Sequence, residues 1–285
     1  MKRILVIFLI LIGVYVLFNS NIMNLFSFGK SEAEEKVTKN IDSVEIDASS
    51  IKTVILPEKR SDIHAELEGK GEVSVNKSGN SIQVKYKRAF FEGFSFFNKN
   101  TVLNIYIPED FDRRMNINVG SGYLIFEGKS ASKPMNLKEL DINLGSGKID
   151  LKNLNIGEFR NDVSSGMVTI HSLKTKEGTI DVNSGIVKIR SYEGKLKADI
   201  SSGQLDVQMD KITDDIDAEV SSGHLKLDLP EDADFTLKGK VSSGLIKSDI
   251  PLKDKIQDKN KISGQSGTGK YQVKVSVSSG LVNIH

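Results

Sequence analysis

The chain has 285 residues, with 39 basic and 38 acidic side chains interspersed to a net charge of +1, and no cysteine. That balance gives no electrostatic case for nucleic acid. The missing thiols exclude disulfides, thiolate metal sites and a lipid-modified N-terminal cysteine, and leave the redox compartment open.

Lys2-Arg3 opens the chain, and Ile4 to Phe18 follow without a charge. After the polar Asn19-Ser20-Asn21, residues Ile22, Met23, Leu25, Phe26 and Phe28 continue an amphipathic, interfacial pattern. A helix from Ile4 to Leu25 would be about 33 Å long, enough to cross a hydrocarbon core. A cleaved signal peptide has an apolar core of similar length, but no clear small-x-small site follows Phe18. The pattern predicts an uncleaved anchor over residues 1–29, its short N-terminus cytoplasmic and the remainder outside the cell. Residues 30–40, rich in Glu and Lys, read as a charged linker holding the folded part off the lipid.

Residues 41–115 alternate apolar and polar side chains and form a leading β segment or cap: Val44-x-Ile46, Ile63-x-Ala65-x-Leu67, and Val73 and Ile82 on either side of Ser78-Gly79-Asn80, a hairpin turn. Within this half, Phe90, Phe91, Phe94, Phe96 and Phe97 lie in eight residues flanked by Lys87, Arg88 and Lys99. The cluster reads either as a hydrophobic plug closing the first coil or as an interaction loop touching a bilayer or partner.

From residue 116 to 285 one unit recurs. Asp162-Val163-Ser164-Ser165-Gly166 has relatives ending at Gly122, Gly147, Gly185, Gly203, Gly223, Gly244 and Gly280, and from Gly147 to Gly244 the spacings are 19, 19, 18, 20 and 21 residues. Aligned on glycine, apolar columns fall three residues before it (Val163, Val182, Ile200) and two and four after it (Val168 and Ile170, Val187 and Ile189). Period two marks strands with one buried face, and a 20-residue period marks a stacked repeat. The fold class expected is all-β: a parallel, right-handed β-helix of about 20-residue coils. Antiparallel hairpins would give the same alternation, but one recurring corner favours the coil. The glycines are expected to bend the chain through positive φ, and the invariant preceding serines to hydrogen-bond exposed corner backbone.

The serines lack a recurring histidine or carboxylate at a fixed offset, so they read as structural. The acidic column Asp162, Asp181, Asp199 and Glu219 reads as a solvated, charge-mixed face and His64, His171, His224 and His285 as scattered, so no metal site is expected. Gly264 to Lys270 has P-loop spacing, but Tyr271 stands where Ser or Thr is needed and a strand follows, so a flexible glycine turn within a loop from Pro251 to Lys270 is expected, with no nucleotide. A β-helical polysaccharide enzyme would want paired carboxylates and aromatic platforms; there is no tryptophan and only 6 tyrosines.

An N-terminal anchor, a leading β segment and tandem Asp-Val-Ser-Ser-Gly-x-Val-x-Ile corners resemble the LiaG-like, membrane-anchored adhesin-like β-helix family, a domain of unknown function. The resemblance spans the whole chain and implies an extracytoplasmic location in a bacterial envelope and a link to the cell-envelope stress response of Gram-positive bacteria. It carries over no catalytic residue and no cofactor. The function expected is a scaffold or interaction protein with an envelope protein or cell-wall partner. The alternative is a cell-wall glycan-binding or glycan-cleaving protein.

Overall fold

The computed structural model describes residues 31–88 and 101–285. All regular elements there are strands, and no described helix is long and apolar enough to cross a membrane. The anchor expected over residues 1–29 and the phenylalanine loop at Phe90–Phe97 lie outside the described residues.

The centre of the molecule is built from four consecutive strands, β10 (Met135–Leu144), β11 (Lys148–Val163), β12 (Met167–Val182) and β13 (Ile186–Ile200). They pair in parallel and in order, with Leu144 beside Val163, Val163 beside Val182 and Val182 beside Ile200. Successive repeats therefore stack as coils of a β-solenoid. Inward-pointing Ile149, Leu151, Leu154, Ile156, Phe159 and Val163 of one coil are all buried, each contributing about 1.5–3 kcal/mol of transfer free energy.

β11 runs through 16 residues because it turns corners without leaving its ladder. Pairing is interrupted at Asn153 and Gly157, which divides the coil into three flat runs. The first of these corners stacks Asn153, Ser172 and Ser191 at φ of 56°, 65° and 60°, the left-handed region that short polar side chains tolerate best. Ser191 continues the column by donating from Oγ to Asp210 at 2.5 Å. The 18-residue spacing before Gly203 arises where the β12–β13 register shifts between Lys174 and Glu177.

The third corner is the Ser-Gly unit, and its glycines are needed for a reason other than the one expected. None of Gly122, Gly147, Gly166, Gly185, Gly203, Gly223, Gly244 and Gly280 has positive φ. From Gly147 onward, a β-carbon on each would lie 2.2–2.6 Å from the carbonyl oxygen of the glycine one coil away. The backbone there is packed too closely for any side chain. The serines differ from expectation as well: corner amides bond to the neighbouring coil, as in Ser146 N to Gly120 O at 2.7 Å and Ser184 N to Ser164 O at 2.8 Å, while their side chains stay exposed.

Chain order and spatial order part at both ends. In the leading half, β2 (Ser43–Asp47) and β3 (Lys52–Glu58) lie parallel to β8 (Arg114–Val119) and β9 (Tyr123–Glu127), while β6 (Ser81–Lys87) and β7 (Val102–Pro108) stack on their other side. Residues 43–58 thus form a true coil, with Ile51 where later coils have glycine: Tyr123 N bonds to Ile51 O as Lys148 N bonds to Gly122 O. β4 (Asp62–Glu68) and β5 (Glu72–Ser78) run antiparallel to β7 and β6 and close that end. The expected linker at 30–40 is instead largely strand: β1 (Ser31–Lys36) pairs antiparallel with β4. An edge strand needs one paired side only; Ala33 packs on the core while Glu32 and Glu34 face out.

At the far end the remaining strands are β14 (Gln204–Gln208), β15 (Ile216–Val220), β16 (His224–Asp228), β17 (Phe235–Val241), β18 (Leu245–Ser248), β19 (Lys253–Gln257), β20 (Lys261–Ser266), β21 (Tyr271–Val277) and β22 (Leu281–Ile284). β21 and β22 insert between β15–β16 and β17–β18, so the corner of Gly280 lies between those of Gly223 and Gly244. Most of the expected loop from 251 to 270 is an antiparallel hairpin, β19–β20, laid along β17. Its exposed outer strand carries Lys253 and Lys255, charges that keep a free edge from pairing with another chain.

Candidate interaction surface

In-register stacking turns each outward sequence position into a ladder. One runs Asp47, Asn118, Asn143, Asp162, Asp181, Asp199, Glu219, Ser276, Lys240. The acidic column read from the sequence is thus brought together, flanked by amides on one side and a lysine on the other. Asn143 Nδ2 donates to Asn118 Oδ1 at 3.2 Å. Burial, then the neighbouring Asp162 and Asp199, holds the Asp181 carboxyl above its ordinary range. Beside the ladder an open groove of about 380 Å³ follows the corner past Ser49, Gly120, Gly145 and Ser164.

The surface beside the ladder and on the other faces balances charge from coil to coil. Arg160 meets Glu139 at 2.7 Å, Glu158 at 3.0 Å and Asp141 at 3.4 Å. Lys174 and Glu193 pair at 3.0 Å across one coil spacing. Tyr123 donates to Asp150, which Lys148 also reaches at 3.0 Å; that carboxylate pushes the Tyr123 hydroxyl up. Such exposed pairs each add little stability, but they fix a flat, charge-patterned outer surface.

The turn with P-loop spacing is held by one carboxylate. Gly267 and Gly269 take φ of 63° and 75°. Asp234 accepts from Thr268 N at 2.7 Å, Thr268 Oγ1 at 2.7 Å and Lys270 N at 3.0 Å. The amides that would cradle a phosphate already hold a carboxylate of the same chain, and those bonds keep the Asp234 carboxyl below its usual range.

His171, His224 and His285 stand on separate coils. His64 differs. The register of β1 and β4 sets Glu34 opposite His64 and Glu32 opposite Glu66, so carboxylates and an imidazole gather on the outer side of the cap. Ligand atoms of Glu32, His64 and Glu66 lie within 4.8 Å of one another, as do those of Glu34, Asp62 and His64. The sequence hides this group, because residues 30–40 read as a linker. Its only signal was same-face spacing, Glu32-x-Glu34 and Asp62-x-His64-x-Glu66.

One solved structure supports this architecture. A candidate adhesin of known structure from Bacteroides fragilis NCTC 9343 matches 91% of this chain and 98% of its own at 12% identity, with a TM-score of 0.51. A candidate lipid-binding protein from Parabacteroides distasonis ATCC 8503 matches 91% and 98% at 15% identity, with a TM-score of 0.49. A candidate adhesin from Parabacteroides merdae ATCC 43184 matches 91% and 97% at 11% identity, with a TM-score of 0.49. At 12% identity the likeness to the Bacteroides fragilis structure is one of fold. No curated protein matches the sequence. Residues 41–285, the whole solenoid with all its Ser-Gly corners, match the family model described as Toastrack DUF4097, and the chain belongs to that family.

Proposed function

We propose that this chain is a membrane-anchored, extracytoplasmic scaffold of the bacterial cell envelope, in the manner of LiaG-like proteins, serving the envelope stress response by presenting the side of a right-handed solenoid to a partner. The observation that carries this reading is the outward ladder from Asp47 to Lys240, which holds side chains in register on a backbone bonded at every corner. A rigid face of that kind suits recognition without chemistry, and the role requires neither catalysis nor a cofactor. The charge-free run from Ile4 to Phe18 behind Lys2-Arg3 supports the anchor and its orientation.

Because the chain has no cysteine, single-cysteine variants test the placement directly. Asn183→Cys, on an exposed corner, is expected to react with a membrane-impermeant maleimide on intact bacteria; reaction only after lysis would place the solenoid inside and remove the proposal. A photocrosslinker at Asp199 is expected to trap an envelope protein, and Lys197→Glu, two positions away on the same exposed face, to weaken the trapping. Retention on purified cell wall with no trapped protein would favour the glycan-binding reading.

A further inference from the structure

We propose that the cap formed by β1 and β4 binds one divalent transition-metal ion through His64, Glu66 and Glu32. The His64 side chain is 15% exposed, and its Nδ1 is buried without a hydrogen bond. Its Nε2 lies 3.3 Å from Glu66 Oε1. Two ligands held about 2.0–2.1 Å from a tetrahedral zinc ion are about 3.3 Å apart, so this pair already has the spacing of one tetrahedral edge. Glu32 lies directly across the strand pair from Glu66 and extends from an exposed position, free to swing its carboxylate inward.

The second half of the cluster fits a supporting role. Glu34 stands 3.6 Å from Nδ1 on the far side of the ring, close enough to move in and accept the Nδ1–H hydrogen bond that fixes the tautomer of a ligating imidazole. Asp62 is unsuited as a ligand because Arg60 holds it at 2.8 Å and sets a guanidinium where a cation would approach. Lys36 lies opposite Asp62, Tyr106 opposite His64 and Asn104 opposite Glu66. The ion thus sits on the Glu32–Glu66 side of the ring. One imidazole with two carboxylates selects zinc-class ions over calcium or magnesium, which prefer oxygen alone.

The test is calorimetric titration of the full-length chain with zinc after chelator treatment, paired with the visible spectrum of the cobalt-loaded protein. One saturable site per chain is expected, with a cobalt spectrum of tetrahedral intensity. His64→Ala and His64→Gln are expected to abolish both, and Glu34→Gln to weaken binding about 10- to 100-fold. Asp199→Asn, on the distant acidic ladder, is expected to leave binding unchanged. Melting curves without metal establish that each variant folds. The proposal is overturned if wild type shows no saturable uptake, if folded His64 variants bind as wild type does, or if Asp199→Asn alone removes the site.

Discussion

Gly147 passes so close to Gly122 that a β-carbon on the later residue would lie 2.2 Å from the carbonyl oxygen of the earlier one. The same approach recurs along the whole corner column, so the invariant glycine is a condition of coil spacing.

Gly147→Ala is accordingly expected to destabilise the solenoid by about 1–3 kcal/mol, the cost of overpacking where only backbone can give way. Gly79→Ala, with nothing within 4 Å of the added carbon, pays only for its φ of 60°, about 1–2 kcal/mol. Urea unfolding of the two variants checks the contrast; a larger loss at Gly79 than at Gly147 would contradict the steric account.

The order of the last coils is open to cross-linking. Glu219 neighbours Ser276, and Ser276 neighbours Lys240. Adjacent strands are about 4.8 Å apart, within the reach of a disulfide, whereas two spacings, about 9.6 Å, exceed its limit of about 7 Å. Glu219→Cys with Ser276→Cys should therefore oxidise to a disulfide, and Glu219→Cys with Lys240→Cys should not. The reverse outcome would mean that coils stack in chain order.

Asp181 carries a folded-state cost with a definite sign. Its carboxyl is raised by burial and by Asp162 and Asp199, so its favourable contribution is complete below the ordinary Asp pKa and is lost as pH rises through the higher folded value. Asp181→Asn should raise the melting temperature at neutral pH, extending the amide ladder begun by Asn118 and Asn143, and the gain should vanish on acidification below the Asp range. A gain independent of pH would point to a cause other than charge.

Asp234 has the opposite sign. Backbone amides lower its carboxyl, so its contribution is present above the ordinary Asp pKa and disappears as pH falls through the folded value. Asp234→Ala should loosen residues 266–270, read as faster proteolytic nicking there at neutral pH. Unchanged cleavage would show that the turn holds without its carboxylate.

Asn161 is a polar residue in a column of buried aliphatics, beside Ile142 and Ile180. Its Nδ2 donates to Ile142 O at 3.3 Å, but its Oδ1 is buried without a partner. Replacing an unsatisfied buried group by an apolar one of similar size removes its desolvation cost, so Asn161→Leu should stabilise the fold by about 1 kcal/mol. Denaturant midpoints decide this, and a loss of stability would show that the amide is needed where it is.

Much of the coil was legible because it is local. Val163, Val168 and Ile170 announce inward positions by alternation, and the Ser-Gly unit announces a bend. The corners at Asn153, Ser172 and Ser191 escaped notice because Asn and Ser turn corners without a fixed signature. The coil at residues 43–58 escaped because Ile51 replaces the marker glycine. His64 and its carboxylates were legible only as scattered letters, since the pairing of β1 with β4 joins residues some 30 positions apart.

By itself the sequence determined that this chain is a stack of near-identical β turns with one buried face, since period two and a recurring bend follow from neighbouring side chains alone. Tertiary structure decided which turn stacks on which, why the bend must be glycine, and how the ends are closed. Near-identical repeats carry almost no local preference for one another, so the choice between chain order and the insertion of Gly280 between Gly223 and Gly244 falls to sheet pairing and to the strands that cover the last open edge.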